Sequence, residues 1–179
     1  MKRGEVRERI LEAGEALVRQ HGLNGVSFRD LAEQVGVKSA SVHYHFPTKD
    51  DFLLVLAQRY SERFLETAES VIASGKTVAE KVRGYSNLFL AAFAEDGRMC
   101  LCGILAAEAA DLSDPVRREI AGFFDANINM LKGVLGDASE ARFVVTSLEG
   151  AMLLARVEKS PQHLESTARD LSERYRGRN

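Results

Sequence analysis

The chain has 179 residues, 45% hydrophobic and 28% charged, an ordinary composition for a globular protein of one or two small domains. A net charge of −2 gives no overall field that would draw it to nucleic acid or a membrane, so any such partner has to be read locally. Two cysteines exclude a disulfide framework, the N-terminus MKRGEVRERILEAGEAL has no apolar core of a secretory signal, and no apolar run spans a bilayer; the expected location is the cytoplasm.

Apolar residues recur at spacings of three and four along the whole chain, with no alternating strand pattern. The expected fold is therefore all-α, with about nine helices. The first runs from about 3 to 21, with Ile10, Ala13, Gly14, Leu17 and Val18 turned inward, and Gly22 stops it. Ser27 caps a short second helix, FRDLAEQV, with Asp30 three residues on; Leu31, Ala32 and Val35 form its buried side. Gly36 makes a tight turn. Ser39 is expected to cap a third short helix that ends before Pro47. Thr48, with Asp51 three residues on, caps a long fourth helix, about 49 to 73, with Phe52, Val55, Leu56, Arg59, Tyr60 and Phe64 along one side.

Ser74-Gly75-Lys76-Thr77 is a connector. Its Gly-Lys-Thr resembles the end of a phosphate-binding loop, but position 70 is serine where that loop needs glycine, and no strand precedes it. A fifth helix, about 78 to 95, buries Val82, Tyr85, Phe89 and Phe93. Asp96-Gly97-Arg98 breaks the pattern. Helices follow near 99–111, 114–135 and 138–158, and Pro161 opens a last one to about 176. There are no internal repeats. Three compact helices followed by long ones suggest a small N-terminal module, 1–48, joined by the fourth helix to a larger helical domain, 49–179.

The short stretch VKSASVHYHF, Val37 to Phe46, is unusually polar for a segment set between apolar helices. As a metal site, the His43-x-His45 pair fails: residues two apart on a helix point to different faces, and no cluster completes a ligand set. Two short helices joined by a turn holding glycine instead match a helix-turn-helix, whose second helix enters the DNA major groove. Val37 and Val42 can face inward while Ser39, Ala40, Ser41, His43 and Tyr44 stay outside. Small residues let the backbone approach base edges, and hydroxyls and ring nitrogens can bond to them. Arg29, Lys38 and Lys49 bracket that surface. The first 50 residues hold eight Lys/Arg against seven Asp/Glu, a net of +1; the rest hold 16 against 19, a net of −3. The alternative is a solvated surface helix.

Residues 6 to 56 resemble the N-terminal DNA-binding domain of the TetR family of bacterial transcriptional regulators. The resemblance lies in ILEAGEALVRQHGLNGVSFRDLAEQVGVKSASVHYHFPTKDDFLL: G-x-x-x-V-S at 22–27, D-L-A-x-x-x-G-V at 30–37, Y-x-F-x-T-K at 44–49 and an acid after that lysine. The rest of the chain matches in helix number and length only. The resemblance implies that Ser27 and Arg29 hold phosphates from the second helix. It implies that Ser39, Ala40, Ser41, His43 and Tyr44 face the groove, and that His45 and Lys49 clamp phosphates. His43 departs from the family pattern, which usually has tyrosine there. It further implies a homodimer reading a palindrome with recognition helices about 34 Å apart, a small-molecule effector, and a shift of the fourth helix passed on through Pro47-Thr48-Lys49. No cofactor, metal or catalytic group is expected.

The effector contacts are less sharply marked. Tyr60, Phe64, Tyr85, Phe89, Phe93, Ile104, Phe123 and Phe124 either fill the core or line a cavity for an apolar ligand, with Arg59, Asn87 and Glu108 available to orient it. Cys100 and Cys102 are either small buried residues or a sensor. RMCLCGILAAEAADLSDPVRRE is similar to a family branch in which the cysteine matching Cys100 senses electrophiles or oxidants in some members, with Met99 here where glycine is usual. Arg98 would favour its thiolate. The apolar series Ala141, Val144, Val145, Leu148, Ala151, Met152 and Ala155, with Leu164, Ala168 and Leu171, suggests a four-helix dimer contact or, alternatively, packing within one chain.

Overall fold

The structure, a computed structural model, describes the backbone of residues 3–178 and the side chains of residues 4–94 and 97–178. All regular structure among the described residues is helical. The helices are α1 Arg3–His21, α2 Phe28–Val35, α3 Ser39–His45, α4 Lys49–Ser74, α5 Val78–Asp96, α6 Leu101–Ala107, α7 Asp114–Leu135, α8 Ala138–Glu158 and α9 Gln162–Arg174.

Local chemistry sets most of the boundaries. The Ser27 hydroxyl accepts from the Asp30 N–H at 3.2 Å and starts α2. Thr48 and Asp51 bond reciprocally, side chain to backbone, at 3.1 and 3.0 Å and start α4. Thr77 and Glu80 do the same for α5, and the Asp137 carboxylate accepts from two N–H groups at the head of α8. Gly36 ends α2 in the left-handed region, at φ 73° and ψ 38°, and the Val37 N–H returns to the Ala32 carbonyl at 2.9 Å.

Three expectations are corrected. Ser39 does not cap α3: Lys38 occupies the cap position, its carbonyl accepts from the Ser41 N–H, and Ser39 is the first helical residue. The sixth helix is shorter than 99–111, because the chain leaves helical geometry at Glu108 and finishes in a 3-10 turn, Ala109–Asp111. The apolar series on α8 and α9 is buried within the one chain, so it is not available to a partner.

The chain divides into two compact units, residues 1–61 with 101–121, and residues 62–100 with 122–179. In the first, Ile10, Leu11, Val18, Leu31, Val35, Val42, Phe46, Phe52 and Leu56 form the core around α1 to α3 and the start of α4. Phe46 is 1% exposed and meets Phe52 edge-on at 5.3 Å, so it fixes the end of α3. Burying a side chain of this size contributes roughly 2 to 3 kcal/mol. In the second unit, α5 and α8 pack against α9, with Val82, Tyr85, Leu131, Val144, Leu148, Leu164 and Tyr175 inside. No helix of the described residues is long and apolar enough to cross a membrane.

Candidate functional site

The first unit presents α3 as a mostly solvated helix anchored by one fully buried residue, Val42. Lys38, Ser39, Ala40, His43 and Tyr44 are exposed, and Ser41 and His45 are half-buried. Tyr44 has 58% of its surface exposed, much for a large aromatic residue. Because Ser39 is not spent on capping, its hydroxyl remains on the outer face. Val37, expected inward, is half-buried.

His43 does not stand free of the scaffold. Its ring meets Phe28 of α2 edge-on at 4.9 Å, and Phe28 meets Phe52 at 6.0 Å. The orientation of His43 is thus set from the core side. His45 lies edge-on to Tyr44 at 5.3 Å and 6.4 Å from Phe46. Arg9 of α1 donates to the Val35 carbonyl at 2.8 Å and ties down the end of α2. Arg29 is exposed. The Ser27 hydroxyl is committed to Asp30, to which it donates at 2.6 Å.

Lys49 sits at the first position of α4, and its ammonium donates to the Leu23 carbonyl at 2.6 Å. The same residue is held from the other side: the Leu23 N–H donates to the Glu108 carboxylate at 2.5 Å. One carboxylate and one ammonium therefore grip Leu23, in the turn between α1 and α2. An ammonium has three donors, so Lys49 keeps capacity for a phosphate while holding this turn. Glu108, suggested by the sequence as a ligand-orienting group, is spent on this grip. Arg59, the other suggestion, faces α1, where it pairs with Glu8 at 3.1 Å, Glu15 at 3.7 Å and Glu12 at 3.8 Å. Asn87 is exposed in a groove of about 280 Å³ between α5 and α9.

In the second unit the aromatic expectations converge. Phe64 meets Tyr85, Phe89 and Phe123 edge-on at 6.1, 5.7 and 5.4 Å, and Phe124 meets Phe123 at 5.3 Å. Phe93 is buried in the same unit. Tyr60, buried, and Ile104, half-buried, belong to the first unit. The Tyr85 hydroxyl donates to Asn127 at 2.8 Å, and the Asn127 amide donates to the Phe123 carbonyl at 2.8 Å. Burial pushes the Tyr85 phenol well above its ordinary value, with Glu149 and Cys100 adding to the rise. Both cysteines are buried and unbridged. Cys100 lies ahead of α6 rather than in it, and its N–H reaches the Met152 sulfur at 3.1 Å. Cys102 lies 3.9 Å from the Ser61 hydroxyl.

Glu149 is the residue that the sequence reading missed. Both of its carboxylate oxygens are shut off from solvent and lack a hydrogen-bond partner. Burial pushes its carboxyl up to about 7, opposed only by the nearby Cys100. The available signal was spacing: Glu149 lies four residues after Val145 and three before Met152, both buried.

Among the described residues no cluster of His, Cys, Asp and Glu is arranged to hold a metal ion. A helix-turn-helix with a solvated second helix, followed by a helical unit with an aromatic interior, defines a ligand-responsive, DNA-binding regulator of transcription. The comparisons with known proteins agree. Residues 10–56 match the model for bacterial regulatory proteins of the tetR family, and residues 78–170 match the C-terminal domain of LmrA/YxaF-like transcriptional regulators. The chain belongs to the TetR family. It is 26% identical to the transcriptional regulator LmrA of Bacillus subtilis, over 97% of this chain and 100% of the relative. It is 24% identical to the transcriptional repressor NemR of Escherichia coli, over 90% and 89%. A TetR transcriptional regulator from Legionella pneumophila superposes with a TM-score of 0.89 at 29% identity, covering 94% of this chain and 96% of that one. These relatives are regulators of transcription.

Proposed function

We propose that the chain is a cytoplasmic, homodimeric repressor that leaves a palindromic operator when a small molecule enters its second unit. The carrying observation is α3, a solvated reading helix held by Val42 beneath and oriented at His43 by Phe28. Ser39, Ala40, Ser41, His43 and Tyr44 read base edges. Arg29, Lys38, His45 and Lys49 meet the phosphates, with Ser27 setting the head of α2 through its bonds to Asp30. Residues 1–48 form the reading module and 49–179 the effector and dimer module. The likeness to NemR, a transcriptional repressor, supports the sign of regulation.

The dimer forms through α8 and α9, on a different face from the one first expected. With the inner series of α8 buried, Phe143, Leu153, Leu154 and Val157 remain exposed at helical spacing on that helix. Four large apolar side chains at this spacing make a stripe of the kind that a second helix covers. Beside Phe143 runs a groove of about 320 Å³ bordered by Thr167, Leu171 and Arg174 of α9.

The effector enters the aromatic cluster of Phe64, Tyr85, Phe89, Phe93, Phe123 and Phe124, bordered by Cys100, all of the second unit. It favours a state in which α4 has moved. Because α4 is one unbroken helix from Lys49 to Ser74, displacement near Phe64 reaches the Thr48 cap directly. A differential affinity of a few kcal/mol releases the operator. The second reading, a thiol sensor at Cys100, meets an obstacle in Glu149, because an acidic neighbour in a buried setting does not favour a resting thiolate. The test is a titration of the dimer against DNA flanking its own gene, at several salt concentrations. A saturable complex that outcompetes random DNA is expected; binding no tighter than to random DNA would refute the reading.

A further inference from the structure

A carboxylate hidden from water with neither oxygen paired is unfavourable, and folded proteins rarely keep one without a use. In the second unit the other interior polar side chains Tyr85, Ser86 and Asn127 have partners nearby. The Tyr85 hydroxyl is given to Asn127, the Asn127 amide to the Phe123 carbonyl, and the Ser86 hydroxyl to the Val82 carbonyl. Among the described residues of that unit, the two oxygens of Glu149 are the only shielded side-chain acceptors left open, with only the weak donor of the Cys100 thiol acting on them. They act on Tyr85 and on Cys100, and Tyr85 is in ring contact with Phe64 and Phe89. Glu149 thus offers a pair of open acceptors, and the ring that feels its charge, Tyr85, belongs to the aromatic cluster.

We propose that Glu149 is the polar anchor of the effector site and that it selects a flat aromatic ligand bearing a cationic N–H donor, an amidine or an amine. This rests on the reading of the aromatic cluster as the effector site. Two open oxygens on one carboxylate suit a forked or multiply donating cation, which satisfies both and neutralises the buried charge. A neutral donor would leave that charge uncompensated. The rings of the cluster that Tyr85 joins offer their faces and edges to a planar body and their faces to its positive charge. Tyr85 from α5 and Cys100 ahead of α6 are the titratable groups set against Glu149. Tyr85 stays neutral near pH 7, so Glu149 is the group whose ionisation governs binding.

The probe is benzamidine, which stays cationic at neutral pH, with benzamide as its neutral counterpart of the same shape. Calorimetric titration of the full-length protein should show benzamidine binding at least about tenfold more tightly than benzamide. Glu149→Gln should remove that preference and leave benzamide unchanged. In the wild-type protein the benzamidine affinity should rise about tenfold between about pH 6 and pH 8, following the ionised fraction of a group that titrates near 7. That profile needs no variant, so it stands if Glu149→Gln fails to fold. Equal affinity for the two probes, a flat pH profile, undiminished benzamidine binding by a folded Glu149→Gln protein, or no benzamidine binding at millimolar concentration would each overturn the proposal. Operator release, followed in the same samples, separates the two readings. Glu149-dependent benzamidine binding without release would support the anchor and count against this site as the effector site. Release by benzamide but not benzamidine would keep the effector site and overturn the cationic ligand.

Discussion

Replacing Glu149 with glutamine keeps the shape of the side chain and removes its charge. In the folded chain, burial lifts this carboxyl from 4.5 to about 7; in the unfolded chain it titrates near its ordinary value. The folded state therefore holds the extra proton between those two values. The stability linked to this group is fully present below about pH 4.5 and is lost as pH rises through about 7. At roughly 1.4 kcal/mol per pH unit, the gap amounts to about 3 to 4 kcal/mol, most of it between about pH 5 and pH 8. Glutamine is neutral throughout. The difference in unfolding free energy, wild type minus Glu149→Gln, should fall by about 2 to 3 kcal/mol over that range. Urea unfolding followed by circular dichroism, at one fixed protein concentration because dimerisation adds to apparent stability, measures this difference. Taking a difference cancels the other carboxylates. If it stays flat from pH 5 to 8, Glu149 is hydrated or paired in solution, and the account of the interior fails.

Lys49→Ala should weaken binding to every DNA sequence alike and lower the salt slope by about one; a sequence-dependent loss would contradict its phosphate role. His43→Tyr should instead change which operator variants bind best, read by competition among single-base variants, with little change in salt slope. Gly36→Ala meets no neighbouring atom but forces alanine to φ 73°, which should cost about 1 to 2 kcal/mol in denaturant unfolding. A cost near zero would mean that the turn differs from the one described. Leu153→Asp with Val157→Asp should yield monomers in analytical ultracentrifugation without loss of helix content, since both side chains are exposed in the single chain.

The helices of the first unit were legible because their signals are local. Ser27 with Asp30 and Thr48 with Asp51 are three residues apart, and Gly36 needs only its own backbone. Ser39 misled because a serine before an apolar helix looks like a cap whether or not its hydroxyl is used. The α8 face misled for a different reason. That helix carries two apolar series, one inside and one outside, and spacing alone does not say which one the chain itself covers. Glu108 and Leu23 are 85 residues apart, and Arg59 answers to acids on α1. Neither pairing leaves a mark in the adjacent sequence. Glu149 reads as an ordinary helix-surface acid until Tyr85 and Cys100 are placed around it.

The double grip on Leu23 bears on how such a protein can be recombined. The turn that sets α2 against α1 is completed by an acid from beyond position 100, in a segment that shares its compact unit. A fragment ending after the first 50 or 60 residues would leave the Leu23 N–H without this acceptor. The α1–α2 turn is therefore not complete within a contiguous N-terminal cassette. A chimera that takes the first 50 residues from this chain has to bring an acceptor at position 108 with them, or the transplanted reading head will sit on a loosened turn.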